Sequence, residues 1–328
     1  MEQRKLGKDG LVVSALGLGC MKLYDTSTDE IEPANVIRYA IEHGINFLDT
    51  ADVYASGAHE KIIGKVLAEG YHDQVILASK CGFARNEKTS SQDLLVDASP
   101  KHIKESCDAS LLRLGVDHID LYYLHRASAE IPIEDSVGAL SDLIQAGKVR
   151  YIGLSEVTPK TLRRAHQTHP ITALQSEYSL WQREPEKEIL KTCRELGIGF
   201  VAFSPLGRGF LTGTLRDTSS LQPSDFRKKM PRFEEGNFQK NLALVDQLAD
   251  FAKKKNCTTA QLSLAWLLAQ GKDIVPIPAT RSISRLQENI DAAFIKLTSE
   301  DLEEIQQIFP IDAVSGERYT KHLQSQVI

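Results

Sequence analysis

Eight short apolar segments alternate with amphipathic helical segments from residue 16 almost to the end of the chain. Because each helix returns the chain to the start of the next strand, strands that alternate with helices pair in parallel. Eight such units close a barrel. The sequence therefore predicts an α/β protein with the (β/α)8 TIM-barrel fold, in which residues 1–328 form a single domain. The predicted strands are Leu16–Cys20, Asn46–Asp49, Val75–Lys80, Ile119–His125, Tyr151–Ser155, Ala173–Gln175, Gly199–Ser204 and Ile274–Ile277.

Three of the intervening helices begin with a capping signal. Ser99 and Thr158 each stand directly before a proline, which is the pattern of an N-cap followed by the first helical position. Thr298 is followed three residues later by Asp301, which is typical of a capping box. These signals support the alternation of helices and strands independently of the strand predictions.

Two regions fall outside the repeat. Residues 3–13, with Gly10 between two apolar stretches, predict a β-hairpin that plugs the barrel at the end away from the loops that follow the strands. Residues 207–240 are rich in glycine, proline and charge and predict a long loop that covers the opposite rim as a lid. The tail Asp312–Ile328 has no clear periodicity.

Charge and cysteine content exclude several functional classes. The formal net charge is −5 and no basic cluster dominates, so we expect neither nucleic acid nor a membrane as partner. No apolar stretch of signal-peptide length follows Met1, which predicts a cytoplasmic protein. The five cysteines are widely separated, so we expect neither disulfides nor a metal site. The sequence leaves open whether the chain forms a homo-oligomer.

Four residues that can take part in proton transfer lie at or just after the ends of predicted strands. Asp49, Lys80 and His125 end the second, third and fourth strands, and Tyr54 follows Asp49 by five residues. In a parallel barrel these ends gather at one rim, so the four side chains should converge there. A lysine that ends an apolar run either extends to solvent or pairs with a carboxylate. The combination predicts an enzyme.

The segments around these residues resemble the aldo-keto reductases. Their order and spacing agree with that family from about residue 3 to residue 295, above all with the branch that contains plant perakine reductase and its bacterial relatives. The segments are Asp49-Thr50-Ala51-Asp52-Val53-Tyr54, Lys80, Tyr122-Tyr123-Leu124-His125-Arg126, Gly153-Leu154-Ser155-Glu156, Gln175-Ser176-Glu177-Tyr178-Ser179-Leu180-Trp181 and Ser204-Pro205-Leu206-Gly207-Arg208-Gly209.

The resemblance implies an NADPH-dependent oxidoreductase that interconverts small carbonyl compounds and alcohols. By motif position Tyr54 is the general acid, Asp49 and Lys80 tune it, and His125 orients the carbonyl group. Elementary chemistry agrees, because hydride arriving at a carbonyl carbon leaves alkoxide character on oxygen that a proton donor must relieve. A free tyrosine, with a pKa of about 10, is a weak acid at neutral pH. The neighbouring Lys80 ammonium should lower that pKa.

The cofactor must be held by loops at the rim, because no G-x-G-x-x-G or P-loop segment follows a predicted strand. The resemblance assigns Ser155 and Gln175 to the nicotinamide carboxamide and Phe203 to stacking on its ring. Arginines and serines that open a helix also suit a phosphate monoester. The further residues assigned by resemblance are Gly19, Cys20, Met21, Ser204, Pro205, Leu206, Gly207, Arg208 and Gly209 along the dinucleotide, Arg281, Ser282 and Arg285 at the 2′-phosphate, and Glu288 and Asn289 at adenine.

The chain departs from the wider family at several of these positions. Glu156 stands where asparagine is common, Phe203 where tyrosine is frequent, Ala279 where glycine is common and Arg281 where lysine is usual. The last of these replacements keeps the positive charge.

Two other functions are compatible with the same residues. Lys80 could form a Schiff base in a barrel aldolase. Alternatively, the chain could bind NADPH as a sensor or regulatory subunit, as the potassium-channel β subunits of the superfamily suggest. For the reductase we expect an aromatic, mostly apolar pocket for aldehydes and ketones, with Met21, Tyr54, Phe83, Trp181 and parts of residues 207–240 as walls.

Overall fold

Eight parallel strands form the central sheet in a computed structural model that describes residues 1–8, 10–23, 32–85, 94–324 and 327–328. Five of the eight predicted strands agree with the observed bounds to within one residue at both ends, and the other three differ by two residues at one end. The strands of the described residues are β1 Gln3–Lys5, β2 Val12–Ser14, β3 Leu18–Gly19, β4 Phe47–Asp49, β5 Ile76–Cys81, β6 Phe83–Arg85, β7 Leu94–Val96, β8 Ile119–Leu124, β9 Val149–Ser155, β10 Ala173–Glu177, β11 Gly199–Phe203 and β12 Ile274–Pro276.

The barrel strands are neighbours in the order β3, β4, β5, β8, β9, β10, β11 and β12, which is also their order along the chain. Backbone hydrogen bonds beyond the ends of the sheet join its first and last strands. Gly17 N–H donates to the Pro276 carbonyl at 2.9 Å, and Gly19 N–H donates to the Pro278 carbonyl at 3.1 Å. Position 19 requires glycine, because a Cβ atom there would lie 2.7 Å from the Ile277 carbonyl oxygen. These contacts close the predicted (β/α)8 barrel.

Helices follow the strands as predicted, and the three capping signals are confirmed. Ser99 and Thr158 accept hydrogen bonds from the backbone N–H groups of His102 and Thr161, and Thr298 forms a capping box with Asp301. The helices of the described residues are α1 Pro33–Glu42, α2 Ala58–Val66, α3 Pro100–Leu114, α4 Ile133–Gln145, α5 Pro159–Thr168, α6 Ile189–Leu196, α7 Glu235–Lys254, α8 Thr259–Ala269, α9 Ile283–Asp291, α10 Ser299–Ile308 and α11 Lys321–Gln324.

The predicted N-terminal hairpin closes the lower end of the barrel. Strands β1 and β2 pair antiparallel, with Gln3 opposite Ser14, and Asp9 in the connecting turn lies outside the described residues. Leu6 and Val13 of the hairpin pack with the side chains that fill the barrel interior, including Phe47. The opposite rim, at the carboxyl ends of the strands, is therefore the end at which a site can open.

The loop after β11 is shorter than the predicted span of residues 207–240. Short 3-10 turns lie at Gly207–Thr212, Phe226–Lys229 and Pro231–Phe233, and α7 begins at Glu235. The prediction of a loop up to residue 240 was wrong at its end, because it followed the glycines and prolines of this region. The first turns of α7 instead bury a face formed by Phe238, Asn241, Leu242 and Val245, and this face holds the helix against the core. In the described parts of the chain, no helix has the length and apolarity needed to cross a membrane.

Candidate active site

A buried ion pair lies at the centre of the upper rim. Lys80 Nζ, near the end of β5, donates to Asp49 Oδ1 at 2.5 Å and to the Thr50 carbonyl at 2.7 Å. Lys80 is 0% exposed and Asp49 is 2% exposed. Burial alone would lower the pKa of Lys80, but Asp49 and Tyr54 raise it above its usual range, so the lysine stays charged.

Gln175 holds the other oxygen of the same carboxylate. Its Nε2 donates to Asp49 Oδ2 at 2.7 Å across the barrel from β10 to β4. Both Asp49 oxygens are thus fixed by buried donors, and the position of the Lys80 ammonium is fixed with them. The sequence assigned Gln175, together with Ser155, to the nicotinamide carboxamide. In the structure the Gln175 amide nitrogen already donates a hydrogen bond to Asp49.

Tyr54 lies beside this ion pair on a short turn that follows β4. Its ring centroid is 5.2 Å from Lys80 Nζ. Ala55 and Ser56 have positive φ values of 45° and 59°, which non-glycine residues rarely adopt, and this tight turn aims the tyrosine back at the rim. Burial raises the pKa of the Tyr54 phenol, while the Lys80 charge acts in the opposite direction. The expected net lowering of that pKa is not found, because burial outweighs the lysine.

His125 completes the predicted catalytic set. It follows β8, and its ring centroid lies 6.0 Å from that of Tyr54 and 4.9 Å from that of Phe83, both in edge-to-face geometry. Burial and the charges of Lys80 and Arg126 hold the pKa of His125 well below its usual range, so the imidazole is neutral at physiological pH. Among the described residues, its Nδ1 has no hydrogen-bond partner. The rim therefore contains a phenol and a neutral imidazole facing one space above a buried ammonium.

The predicted nicotinamide contacts lie at the ends of the next strands. Ser155 ends β9 and accepts a hydrogen bond from Arg126 Nη1 at 3.3 Å, and Phe203 ends β11 with its ring half-buried. The loop after Phe203 contains the predicted segment Ser204, Pro205, Leu206, Gly207, Arg208 and Gly209, with positive φ at Ser204, Gly207, Arg208 and Gly209. Gly207 packs against Trp181, where a Cβ atom would meet the Trp181 side chain at 3.1 Å.

Cationic side chains converge between the two other predicted cofactor segments. Gly19, Cys20 and Met21 lie at the end of β3, and Lys22 follows them. Partial desolvation and the charges of Arg227, Arg281 and Arg208 lower the pKa of the Lys22 ammonium, whereas Asp225, which pairs with Arg227 at 2.6 Å, acts in the opposite direction. Three chain segments far apart in sequence thus bring positive charge to one groove. The sequence interpretation did not include Lys22 or Arg227, and no motif marks either residue.

The predicted phosphate segment opens α9. Ser282 is the N-cap, with its Oγ accepting from the Arg285 backbone N–H at 3.4 Å, and the Arg281 and Arg285 side chains are exposed. Glu288 is half-buried on the same helix, and Asn289 is buried. Serine and two arginines therefore meet at a helix N-terminus, as the sequence predicted.

A network at the rim that the sequence did not reveal joins the C-terminal segment to β9 and β10. Arg318 donates from Nη2 to Glu156 Oε1 at 2.7 Å and from Nε to Glu177 Oε2 at 3.0 Å. Arg208 Nη2 donates to the same Glu177 oxygen at 3.0 Å. The Arg318 guanidinium also lies 5.8 Å from the centroid of the Phe203 ring. Glu156, which stands where asparagine is common in the wider family, thus holds the C-terminal segment through Arg318.

Burial alone would raise the pKa of Glu156, but Arg318 lowers it to about 2. The carboxylate stays ionised and accepts further hydrogen bonds from Ser176 Oγ and the Glu177 backbone N–H. The tail Asp312–Ile328 lacked periodicity because these contacts are made by single side chains across the rim. No local pattern in the tail could have located them.

Trp181 is not a wall of the pocket, contrary to the sequence prediction. It is 2% exposed, and its ring centroid lies 4.0 Å from that of Phe210 and 6.0 Å from that of Phe233. The indole is packed in the core beside the 207–212 turn. Packing against Phe210 and Phe233 buries more of its apolar surface than a position on the pocket wall would.

The fold and the site define the class of protein. The model of the aldo/keto reductase family matches residues 15–309, and the chain belongs to that family. A probable aldo-keto reductase 1 from Glycine max is 46% identical over 318 residues, covering 96% of this chain and 91% of the relative.

Solved structures of the family are also similar to this chain. The glycerol dehydrogenase AKR11B4 from Gluconobacter oxydans has a TM-score of 0.86 at 27% identity, over 94% of this chain and 96% of that one. The aldo-keto reductase AKR11C1 from Bacillus halodurans, in its holo form, has a TM-score of 0.80 at 30% identity, over 98% and 99% of the two chains. The predicted (β/α)8 fold and the family resemblance are thereby confirmed, and the protein is an oxidoreductase of the aldo-keto reductase type.

Proposed function

We propose that this protein reduces aldehydes and ketones to alcohols with NADPH and that Tyr54 is the general acid. The observation that carries the proposal is the buried Lys80–Asp49 pair beside the Tyr54 phenol, with the neutral His125 ring on the other side. A charged pair buried at the end of a barrel costs desolvation energy. Its position beside a phenol points to chemistry rather than to stability.

The residues of the site divide the acid chemistry between them. Bound NADPH supplies the hydride. Tyr54 donates the phenolic proton to the carbonyl oxygen as negative charge develops there. Lys80 stabilises the phenolate that Tyr54 becomes, and Asp49, fixed by Gln175, keeps the ammonium in place. The raised pKa of Tyr54 keeps the phenol protonated at neutral pH, so the acid form is ready before each turnover.

His125 orients the carbonyl group rather than supplying the proton. Because its pKa is held far below neutral, the imidazole has a single N–H to donate and no positive charge. That N–H can hold the carbonyl oxygen against Tyr54, whose ring centroid is 6.0 Å from that of His125. The arrangement gives the oxygen two donors, of which the phenol is the acid.

The residues of the groove fit NADPH. Phe203, Ser155 and the Gln175 amide would hold the nicotinamide end. Gly19 leaves no side chain between β3 and the Ile277 carbonyl, and the positive φ values of the 204–209 segment let its backbone approach a pyrophosphate. Lys22, Arg208, Arg227 and Arg281 provide charge for the phosphates. Arg281, Ser282 and Arg285 would hold the 2′-phosphate, with Glu288 and Asn289 at adenine.

The aldolase alternative is disfavoured by the state of Lys80. A Schiff-base lysine must be neutral to attack a carbonyl. Here the pKa of Lys80 is raised, and Nζ is held by Asp49 and the Thr50 carbonyl. A sensor without turnover would not need the Asp49, Tyr54, Lys80 and His125 set in working geometry.

The test measures the decrease of NADPH absorbance with a panel of aromatic aldehydes, aliphatic aldehydes and ketones, and repeats the panel with NADH. We expect turnover with several aldehydes and a preference for NADPH. Borohydride treatment in the presence of each aldehyde should leave Lys80 unlabelled. Labelled Lys80 would support the aldolase, and tight NADPH binding without turnover would support the sensor.

A further inference from the structure

Tyr54 is carried by a strained turn between β4 and α2. Ala55, Ser56 and Gly57 have successive positive φ values of 45°, 59° and 81°. The first two are not glycine, and such a conformation persists only where the surrounding structure holds it. In the proposed reaction the phenol acts as an acid only while this turn keeps it beside Lys80. The contacts that hold the turn therefore bear on the chemistry.

Glu60, in the first turn of α2, joins this region to the neighbouring elements. It is 0% exposed, and its two carboxylate oxygens have partners on different elements. Oε1 accepts a hydrogen bond from Ser79 Oγ at 2.6 Å, and Oε2 accepts one from Arg113 Nε at 2.6 Å. Ser79 directly precedes Lys80 on β5, and successive side chains of a strand point to opposite faces. Glu60 thus joins the helix that follows Tyr54 to the strand that carries Lys80.

Arg113 of α3 supports the turn itself. A Cβ atom on Gly57 would lie 2.5 Å from Arg113 Cδ and 2.6 Å from Arg113 Nε, so the turn packs directly on the arginine side chain. The Arg113 side chain is only partly exposed, and its Nη2 also donates to Ser110 Oγ at 3.0 Å. The guanidinium is therefore held in place beside both Gly57 and the Glu60 carboxylate.

The charges of this pair also reach the segment that precedes Tyr54. Burial and then the charge of Glu60 raise the pKa of Asp52 to about 7, whereas the charges of Arg113 and Lys80 act in the opposite direction. The Asp52 backbone N–H donates to the Lys80 carbonyl at 3.1 Å. Removing Arg113 would therefore increase the repulsion between two carboxyl groups that flank Tyr54 in the sequence.

We propose that Glu60 and Arg113 are positioning residues for the acid, which together hold Tyr54 at its working distance from the Lys80 ammonium. This inference rests on the proposed function, in which Tyr54 is the general acid. The alternative role is a purely structural link between α2 and α3. The two roles differ in their effect on kcat.

The test measures kcat and KM for an aldehyde at saturating NADPH, the Kd for NADPH by quenching of tryptophan fluorescence, and Tm. Arg113→Met should lower kcat by roughly 10- to 100-fold, because a misplacement of about 1 Å can cost that much, whereas the Kd should stay within a few-fold of the wild type. Arg113→Lys keeps the charge and most of the alkyl chain and should retain most of kcat.

The matched control is a buried arginine at the lower end of the barrel. Arg4 is 6% exposed and donates to the carbonyls of Leu268, Gly271 and Ile274. Arg4→Met should lower Tm without changing kcat, because these contacts lie at the end of the barrel opposite to the rim.

Two double variants separate positioning from folding. Glu60→Gln/Arg113→Met leaves no buried carboxylate of this pair without its partner, so Tm should recover more fully than kcat. In the Tyr54→Phe background, Arg113→Met should lower the residual kcat by less than about threefold, because residues that act as a unit are not additive. If Arg113→Met does not fold, Glu60→Gln/Arg113→Met takes its place in each comparison.

Wild-type kcat in Arg113→Met would overturn the inference, and so would an equal loss with and without the Tyr54 hydroxyl. Recovery of Tm and kcat together in Glu60→Gln/Arg113→Met would mean that the pair is only a structural link. Near-normal turnover by Tyr54→Phe, or none by the wild type, would instead refute the proposed function and remove the acid that the pair positions.

Discussion

Replacing Arg318 by methionine should destabilise the protein, because two buried carboxylates, those of Glu156 and Glu177, would lose their shared cation. Arg318 is the closest cation to Glu156, at 2.7 Å, and shares Glu177 with Arg208. The pKa of Glu156, held at about 2 against an ordinary value of 4.5, corresponds to about 3 kcal/mol of stability. Removing one partner of a buried ion pair typically costs about 3–5 kcal/mol. For a chain of 328 residues, that loss lowers Tm by roughly 4–7 °C.

The sign of the pH dependence follows from the direction of the Glu156 shift. Its folded pKa is depressed, so its contribution is complete above the unfolded value of 4.5 and is lost as the pH falls towards 2. Without Arg318, burial raises the pKa of Glu156 in the folded variant, so the difference in stability between the wild type and Arg318→Met should begin to narrow above pH 4.5 and should continue to narrow as the pH falls towards 2.

The assay is urea unfolding and thermal unfolding of three variants and the wild type. Arg318→Met should be the least stable, and Glu156→Gln/Arg318→Met should recover a large part of the loss because it removes a buried carboxylate left without its partner. Arg216→Met removes an exposed pair with Asp246 and should change the free energy of unfolding by less than about 1 kcal/mol. If Arg318→Met unfolds like the wild type, or if the double variant is less stable than the single one, the reasoning about this network is refuted.

Three further predictions concern the reaction and the cofactor. Lys80→Met should abolish most turnover and shift the alkaline limb of the remaining pH–rate profile to higher pH, because the ammonium that opposes the raised pKa of Tyr54 is gone; an unchanged profile contradicts this. Arg285→Ala should weaken NADPH by roughly 10- to 100-fold with NADH nearly unaffected, measured by quenching of tryptophan fluorescence; equal loss for both would mean that Arg285 does not bind the 2′-phosphate. Gly19→Ala should weaken both cofactors and lower Tm, because its Cβ would lie 2.7 Å from the Ile277 carbonyl oxygen; wild-type values for both would show that β3 shifts freely.

The sequence predicted the barrel and the place of the proposed catalytic residues at its rim because both depend on local patterns. Short apolar runs fix where strands end, and the ends of parallel strands lie at one rim, so the sequence alone predicts that Asp49, Lys80 and His125 lie there. The prediction for Trp181 was wrong because a motif position does not say which way a side chain packs. Arg318 could not be found, since its contacts join segments more than 140 residues apart through single side chains.

The central claim is that Tyr54 delivers the proton, and Tyr54→Phe tests it most directly. This change removes one hydroxyl and keeps the ring beside Lys80 and His125. We expect kcat for an aldehyde to fall by at least about 100-fold, whereas the Kd for NADPH, measured by quenching of tryptophan fluorescence, stays within a few-fold of the wild type. Near-normal turnover by Tyr54→Phe with intact NADPH binding would contradict the assignment of the acid.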